Sequence, residues 1–338
     1  MAKYKAGIIG CGWFSHFYAR ALPKFKERVQ IEWVSDPDRA RADALASKTG
    51  GRVLTDYREG LDSAQIVFVL VPHPLHHPIV IDCFRAGCHV MVEKPIALTL
   101  EQADEMIEAG EDAGKVLMVA YPHRYRPSMR LFKNAVTDGR YGKLFMLDGL
   151  MEECMQGSFK GWLARRETLG GGVFFSSSPH MLDVITWIAG PVAQLSMVGT
   201  NSGSELDAED TAISILKFES GVIATTRHIW AGPVSRAWYT MQAYCRDAIV
   251  KLTTTPTGDL VTQGVDCPWS TRIVADTPGG SHTLLDNCEG LEVAPEIEHF
   301  LDCVDTGQTP ETDGRTARRL IELVLGAYER AQTVGATC

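Results

Sequence analysis

No long apolar run, no basic excess and no cysteine pairing pattern mark this chain, and each absence removes a class of protein. Apolar runs of the length of Ile66–Val71 are the longest, far short of the ~20 residues that cross a bilayer, so no membrane segment is expected. Acidic residues outnumber basic ones, 42 against 33, for a net charge of −9. A nucleic-acid partner needs a basic stripe, and none is expected. The nine cysteines are odd in number and include no CxxC pair, which reads as reduced thiols. Met1–Ile9 lacks the charged, apolar, then small pattern of a secretory leader, so a cytoplasmic location is the expectation. There is no internal repeat and no low-complexity segment. What is present is ordinary for a globular chain: 45% apolar and 22% charged residues. The 338 residues suffice for two domains at roughly 150 residues each, with a sizeable core that needs neither metal nor disulfide.

The two halves have different rhythms. In the first ~120 residues, apolar strand-like runs (Lys5–Ile9, Gln30–Ser35, Ile66–Val71, His89–Val92, Val116–Ala120) alternate with helical stretches (Phe14–Leu22, Asp38–Lys48, Leu75–Ala86, Leu100–Ala113). Thr99 is placed to cap the last helix, with Gln102 at capping-box spacing. Such alternation predicts an α/β fold with a doubly wound parallel sheet. In the second half, Lys143–Glu152, Val192–Thr200, Thr211–Phe218, Val222–Trp230, Trp238–Cys245 and Ala248–Thr253 read as successive strands, with Glu219-Ser220-Gly221 as a hairpin loop. That pattern predicts an α+β domain on a large, mostly antiparallel open sheet, closed by helices over Pro295–Thr306 and Thr316–Ala331. The boundary falls near Tyr121–Pro127, giving domains of 1–122 and 123–338; Ser202–Asp210 and Pro278–Glu289 are expected as exposed loops.

Gly10-Cys11-Gly12-Trp13-Phe14-Ser15 follows the first strand and opens the first helix. The first glycine permits the tight turn, the second lets backbone approach a pyrophosphate, and the small Ser15 suits helix–strand packing. The helix start then offers N–H groups to phosphate. Asp36 ends the second strand, where a carboxylate accepts from the adenosine ribose hydroxyls and repels a 2′-phosphate. NAD is therefore the expected cofactor. Arg39 nearby keeps NADP as the alternative, and Asp36 can also be read as a helix cap.

Two further stretches are more specific: Glu93-Lys94-Pro95 directly after a strand, and Gly170-Gly171-Gly172 running through Ser176-Ser177-Ser178-Pro179-His180 to Asp183. Together with the glycine turn, the segment Val71–His76 and Thr312-Asp313-Gly314, they resemble the Gfo/Idh/MocA family of nicotinamide-dependent oxidoreductases of sugars and cyclitols. The resemblance runs from Lys5 to about Ala331. It implies a Rossmann domain followed by a domain whose open sheet carries substrate on its helical side and a subunit interface on the other. A homodimer or homotetramer is expected from it. It makes Lys94 and His180 the catalytic residues, with the nicotinamide between them. It also gives the dinucleotide the residues Gly10, Gly12, Trp13, Phe14, Ser15, Asp36, Arg39, Val71, Pro72, His73, His76, Glu93 and Lys94. The chain departs from the family in one place: an aspartate usually stands four residues before the histidine, and here that position is Ser176.

Oxidising a secondary alcohol removes a hydride from carbon and a proton from oxygen. An imidazole suits the proton because its ordinary pKa is near neutrality. Ser176 can orient the His180 ring, and Asp183, one turn later, can replace the missing charge. Lys94 can share the proton. Tyr121, His123, Arg124 and Tyr125 follow the last Rossmann strand, whose carboxyl end should face the cofactor cleft. A polar linker is the other reading of that stretch. Lys160, Trp162, Arg165 and Arg166 form a cationic loop suited to an anionic group on the substrate, with Trp162 to stack on a sugar face; a solvated loop is the alternative. His73, His76 and His77 are read as a cofactor-facing loop rather than a metal site, and no metal is expected. The expected function is a NAD-dependent oxidoreductase of a sugar, sugar acid or cyclitol. Two alternatives stand beside it. One is a NAD-dependent glycosidase that oxidises transiently, eliminates, hydrates and re-reduces, with Tyr121 or Tyr125 as base. The other is a cofactor-binding sensor without catalysis.

Overall fold

The computed structural model describes residues 3–155, 157–256, 269–289 and 293–333. Six strands, β1 (Tyr4–Ile9), β2 (Val29–Ser35), β3 (Arg52–Leu54), β4 (Ile66–Val69), β5 (His89–Glu93) and β6 (Leu117–Ala120), lie parallel in the order 3-2-1-4-5-6. The order reverses between β1 and β4, which is where open α/β sheets form their ligand crevice. Their residues are apolar without alternation because helices cover both faces; Ile66, Val67, Phe68 and Val69 are fully buried. The connecting helices are α1 (Ser15–Ala21), α2 (Arg39–Thr49), α3 (His76–Arg85) and α4 (Leu100–Asp112). The cap of α4 forms as its sequence implies: Thr99 accepts from the Gln102 N–H at 3.2 Å, and the Gln102 side chain reaches back to the Leu98 N–H, also at 3.2 Å.

After α5 (Pro122–Tyr125) and α6 (Pro127–Thr137), a second sheet of eight strands has the order 14-13-12-11-7-10-9-8. Its strands are β7 (Leu144–Glu152), β8 (Val192–Thr200), β9 (Thr211–Phe218), β10 (Ile223–Ile229), β11 (Tyr239–Cys245), β12 (Ile249–Pro256), β13 (Trp269–Thr277) and β14 (Gly280–Cys288). All neighbours are antiparallel except β7 and β10. One face is covered. Along β9, Ala212, Leu216 and Phe218 point into the core while Ile213 and Ile215 are exposed. The short α7 (Arg166–Leu169) and α8 (Val173–Ser176) lead into α9 (Ser178–Ala189), which packs on β7 and β10.

Three expectations need correction. Pro278–Glu289 is not a loop: most of it is β14, the edge of the sheet. Its residues are nearly all polar or exposed, so neither alternation nor burial marks it as a strand. Ser202–Asp210 is irregular, but Leu206, Ala208, Glu209 and Asp210 are buried rather than exposed. The chain also divides differently. One compact unit comprises Met1–Pro122 with Glu292–Ile321, the other His123–Leu291 with Glu322–Cys338. Helix α10 (Ala294–Thr306) and the first part of α11 (Gly314–Thr333) therefore belong with the parallel sheet. Arg28 pairs with Asp302 and Asp305, the Phe300 ring lies 6.0 Å from Phe68, and Arg318 pairs with Asp104. The Thr312-Asp313-Gly314 segment explains itself in the same unit: Thr312 exchanges hydrogen bonds with Val119 of β6 at 2.8 and 2.9 Å, and Asp313 caps α11 through the Thr316 N–H.

Among the described residues no helix is long and apolar enough to cross a membrane. The described cysteines are free thiols.

Candidate active site

In the first unit the chain leaves β1 at Gly10 with φ +94°. A Cβ there would also stand 2.2 Å from the Leu70 carbonyl oxygen, so only glycine is accommodated. Gly12 is different: nothing lies within 4 Å of where its Cβ would be. The turn therefore leaves open space against bare backbone, the room a pyrophosphate needs. Ser15 is buried and its hydroxyl donates to the Gly12 carbonyl at 2.6 Å, closing the turn. Asp36 accepts from the Cys11 N–H at 2.8 Å and from the Asp38 N–H at 2.9 Å. The cap of α2 is Asp38, which accepts from Ala40 and Arg41, so Asp36 does not serve as that cap. It fastens the end of β2 to the glycine turn. Trp13 is exposed, edge-on to Phe17 at 5.2 Å, and Phe14 packs on Phe17 at 5.0 Å. Arg39 is exposed, its Nε 3.7 Å from Asp43. The glycine turn, the small Ser15 and the carboxylate at the end of β2 fit a dinucleotide.

The loops after β4 and β5 are joined by one buried ring. Nδ1 of His76 lies 2.8 Å from the Pro95 carbonyl oxygen and Nε2 lies 2.9 Å from that of Val71. Burial lowers the pKa of this ring, against the two carbonyls, which raise it. Neutral His76 donates its one N–H to one of these carbonyls, according to tautomer, and its ring is wedged between the Val71-Pro72 turn and the Glu93-Lys94-Pro95 turn. Val71 and Pro72 are half-buried, and His73 is buried with its ring 5.8 Å from that of His76. His77 faces Glu105 at 2.6 Å, and no cluster of three potential metal ligands occurs among the described residues. Glu93 is buried; its oxygens take the Tyr18 hydroxyl at 3.5 Å and the Lys94 N–H at 3.3 Å. Burial pushes its carboxyl up to about 7, against the pull of Lys94. Lys94 itself is half-buried, and Tyr121 at the end of β6 is fully buried.

In the second unit, His180 stands in the first turn of α9, its N–H on the Ser177 carbonyl at 3.2 Å. Its ring meets that of His123 edge-on at 5.0 Å and 87°. His123 is buried, stacked on Tyr239 at 4.8 Å and 5.0 Å from Trp238, which lies 4.1 Å from Trp269. The structure thus brings together His180 and His123, which the sequence named separately, and sets Trp238 and Tyr239 beside His123 and Trp269 against Trp238, none of which it named for the site.

Asp183 and Arg124 are found together. Asp183 is fully buried and held in a two-pronged pair, with Arg124 Nε donating to Oδ2 at 3.0 Å and Nη2 to Oδ1. Arg124 is itself buried, 5.4 Å over the Trp187 ring. The carboxylate expected to support the histidine and the guanidinium expected on substrate hold each other in the core. Tyr125 is buried beneath Arg130, and Ser176 is buried on α8. Lys160 and Arg165 are exposed and Trp162 is half-buried, while Arg166 lies 6.0 Å over the Tyr328 ring. One carboxylate was missed. Glu153, just past β7, accepts from the Ser177 hydroxyl at 2.7 Å and the Trp230 Nε1–H at 2.9 Å. It reaches the His180 segment from another element, and no local spacing reveals that.

Comparison with known proteins gives the same assignment. Residues 4–121 match the model of the GFO_IDH_MocA oxidoreductase family, NAD-binding Rossmann fold, and residues 129–250 match the GFO/IDH/MocA C-terminal domain. The chain is similar to the 1-carboxy-3-chloro-3,4-dihydroxycyclohexa-1,5-diene dehydrogenase of Comamonas testosteroni, 28% identical over 239 residues, 66% of this chain and 57% of that protein. It thus spans less than two thirds of that relative. It is also similar to the D-apiose dehydrogenase of Paraburkholderia graminis, 26% identical over 355 aligned residues, 98% of this chain and 88% of the other. Its fold matches the crystal structure of an oxidoreductase from Agrobacterium radiobacter in complex with NAD+, L-tartaric acid and magnesium, with TM-score 0.84, 20% identity, and coverage of 98% of this chain and 97% of that one. From the glycine turn through the eight-stranded sheet, the chain belongs to the Gfo/Idh/MocA oxidoreductase family.

Proposed function

We propose that this protein is a NAD-dependent dehydrogenase that oxidises a secondary hydroxyl of a sugar, sugar acid or cyclitol, with Lys94 and His180 as its catalytic residues. The observation that carries the reading is the glycine turn: a backbone with open space at Gly12, closed by Ser15 and flanked by the Asp36 carboxylate. Gly10 to Ser15 would hold the pyrophosphate and Asp36 the adenosine ribose. Asp36 disfavours a 2′-phosphate, and Arg39 lies beside Asp43 of its own helix, which supports NAD over NADP. A nicotinamide held there would supply the hydride acceptor for the carbinol carbon.

The chain's own residues handle the proton. A ring nitrogen of neutral His180 receives it from the hydroxyl oxygen, and packing against the buried His123 fixes the plane of that ring. Lys94 is the second proposed catalytic residue: its ammonium would stabilise the negative charge that develops on a hydroxyl oxygen. His76 sets the loop that bears Lys94. Lys160, Trp162, Arg165 and Arg166 would receive an anionic substituent of the substrate.

Mass analysis of the purified protein for carried-over NAD(H), then a spectrophotometric screen of neutral and acidic sugars, tests the reading. Stoichiometric NADH from a free sugar supports it. Release of an aglycone with no accumulated NADH would replace it with transient oxidation in a glycosidase.

The outer face of the eight-stranded sheet exposes Val198, Ile213, Ile215 and Ile223, between 47% and 66% accessible. This apolar patch supports a homodimer or homotetramer formed through that face. Ile215→Glu should lower the sedimentation mass; an unchanged oligomer would reject this interface.

A further inference from the structure

The glycine-rich segment before His180 has a receptor of its own, built from two residues distant in sequence. Glu209 Oε1 accepts from the Gly172 N–H at 3.1 Å, the Phe174 N–H at 3.0 Å and the Tyr328 hydroxyl. The Tyr328 oxygen accepts from the Gly172 N–H at 3.3 Å and the Phe175 N–H at 3.2 Å. The Glu209 carbonyl takes the Val173 N–H at 2.8 Å. Four consecutive N–H groups, those a helix start leaves without intrahelical partners, are thus all bound by Glu209 and Tyr328. Both are buried, at 1% and 7% accessible. Burial beside Glu209 raises the tyrosine pKa far above its ordinary value, so its hydroxyl keeps the proton that it donates.

The glycines make this approach possible. A Cβ on Gly172 would stand 2.0 Å from the Glu209 carbonyl oxygen, and one on Gly171 would stand 2.5 Å from the Tyr328 hydroxyl. From the receptor, hydrogen bonds continue stepwise toward the imidazole. Ser176 N–H donates to Gly172 O at 3.1 Å, Ser177 N–H to Val173 O at 2.8 Å and His180 N–H to Ser177 O at 3.2 Å.

We propose that Glu209 and Tyr328 are positioning residues that set the place and orientation of the His180 ring. This rests on the reading of His180 as the proton acceptor. The acceptor required is one oxygen: Oε1 collects all three donors, while Oε2 has no partner among the described residues. An amide oxygen can therefore take the place of the carboxylate, and a methyl cannot.

The test uses the full chain with histidine-labelled imidazoles, the His180 signal being assigned by its loss in His180→Gln. Titration of that signal and the Kd for NAD+ are measured for Tyr328→Phe, Glu209→Ala and Glu209→Gln. In the first two, the His180 signal should move and its titration midpoint shift by about half a pH unit or more, with NAD+ affinity within about twofold. Glu209→Gln should keep the parental signal. A parental His180 signal in Tyr328→Phe and Glu209→Ala overturns the proposal, even if Tm falls. So does loss of NAD+ binding together with the fold, or a Glu209→Gln as disturbed as Glu209→Ala. Whether His180→Ala still forms NADH is scored separately: persistence there removes the dehydrogenase reading of His180 and leaves the positioning result standing.

Discussion

The two sheets hold their functional segments by different means. In the parallel sheet the ties are short and mostly to backbone: Ser15 to Gly12, Lys94 to the side chain of Glu93, and Asp36 to Cys11 across one β–α–β step. In the mixed sheet the ties are made by charged or polar side chains, most of them buried, over 24 to 156 residues of chain. Arg124 reaches Asp183, Ser177 reaches Glu153, and Gly172 reaches both Glu209 and Tyr328. A cofactor turn used by many folds can be encoded in a dozen residues, since its shape is a backbone property. An imidazole that must address one substrate needs support from several elements, and the support is then scattered along the chain.

The largest expected effect breaks that long-range support. Asp183→Ala leaves the Arg124 guanidinium buried without its carboxylate and should cost about 3–5 kcal/mol in chemical denaturation. The exposed Arg315–Glu111 pair of the first unit is well formed at 2.7 Å, yet Glu111→Ala should cost at most about 1 kcal/mol. Equal costs would show that burial does not distinguish the units.

Within the glycine turn, two neighbouring glycines should separate fold from ligand. Gly10→Ala forces a side chain into a positive φ and against Leu70, and a loss of about 3 kcal/mol is expected. Gly12→Ala meets no atom, so Tm should hold while the Kd for NAD+ rises about tenfold or more, roughly 1.4 kcal/mol. Undiminished NAD+ affinity in Gly12→Ala would mean that no phosphate approaches there.

A smaller contrast lies in pH. Burial holds Glu93 at about 7 against an ordinary 4.5. Between those values the folded chain keeps a proton that the unfolded chain has released, so this residue makes stability fall as pH rises. Burial holds His228, in the second unit, down at about 3 against an ordinary 6.5. There the unfolded chain takes up a proton that the folded chain refuses, so stability rises with pH through that window. Calorimetry across pH should show Glu93→Gln and His228→Gln tilting the profile in opposite directions, each by at most a few kcal/mol. Tilts of the same sign would contradict the burial of one of the two.

The same contrast explains what could be read from residues alone. Five strands of the parallel sheet, its glycine turn and the carboxylate at the end of β2 were legible because each depends on spacing within a few tens of residues; β3, three residues long, was too short to stand out. The strands from β7 to β12 were legible from their alternation. β14 was not, because an edge strand with solvent on both sides has no alternation to display. Asp183 and Arg124 were named individually, and their pairing was hidden by 59 residues of intervening chain. Glu209 lay in a stretch that reads as an exposed loop, and Tyr328 on a helix whose pattern says only that one face is buried. The three consecutive glycines were the one local sign that something approaches closely there.

The most direct measurement is NADH formation in a single turnover at saturating NAD+, with the sugar found by the screen, for the parent protein and His180→Ala, alongside NAD+ affinity for both. A drop in rate of about a hundredfold or more with unchanged NAD+ affinity is the expected result; a rate within about threefold of the parent would contradict a proton acceptor at His180.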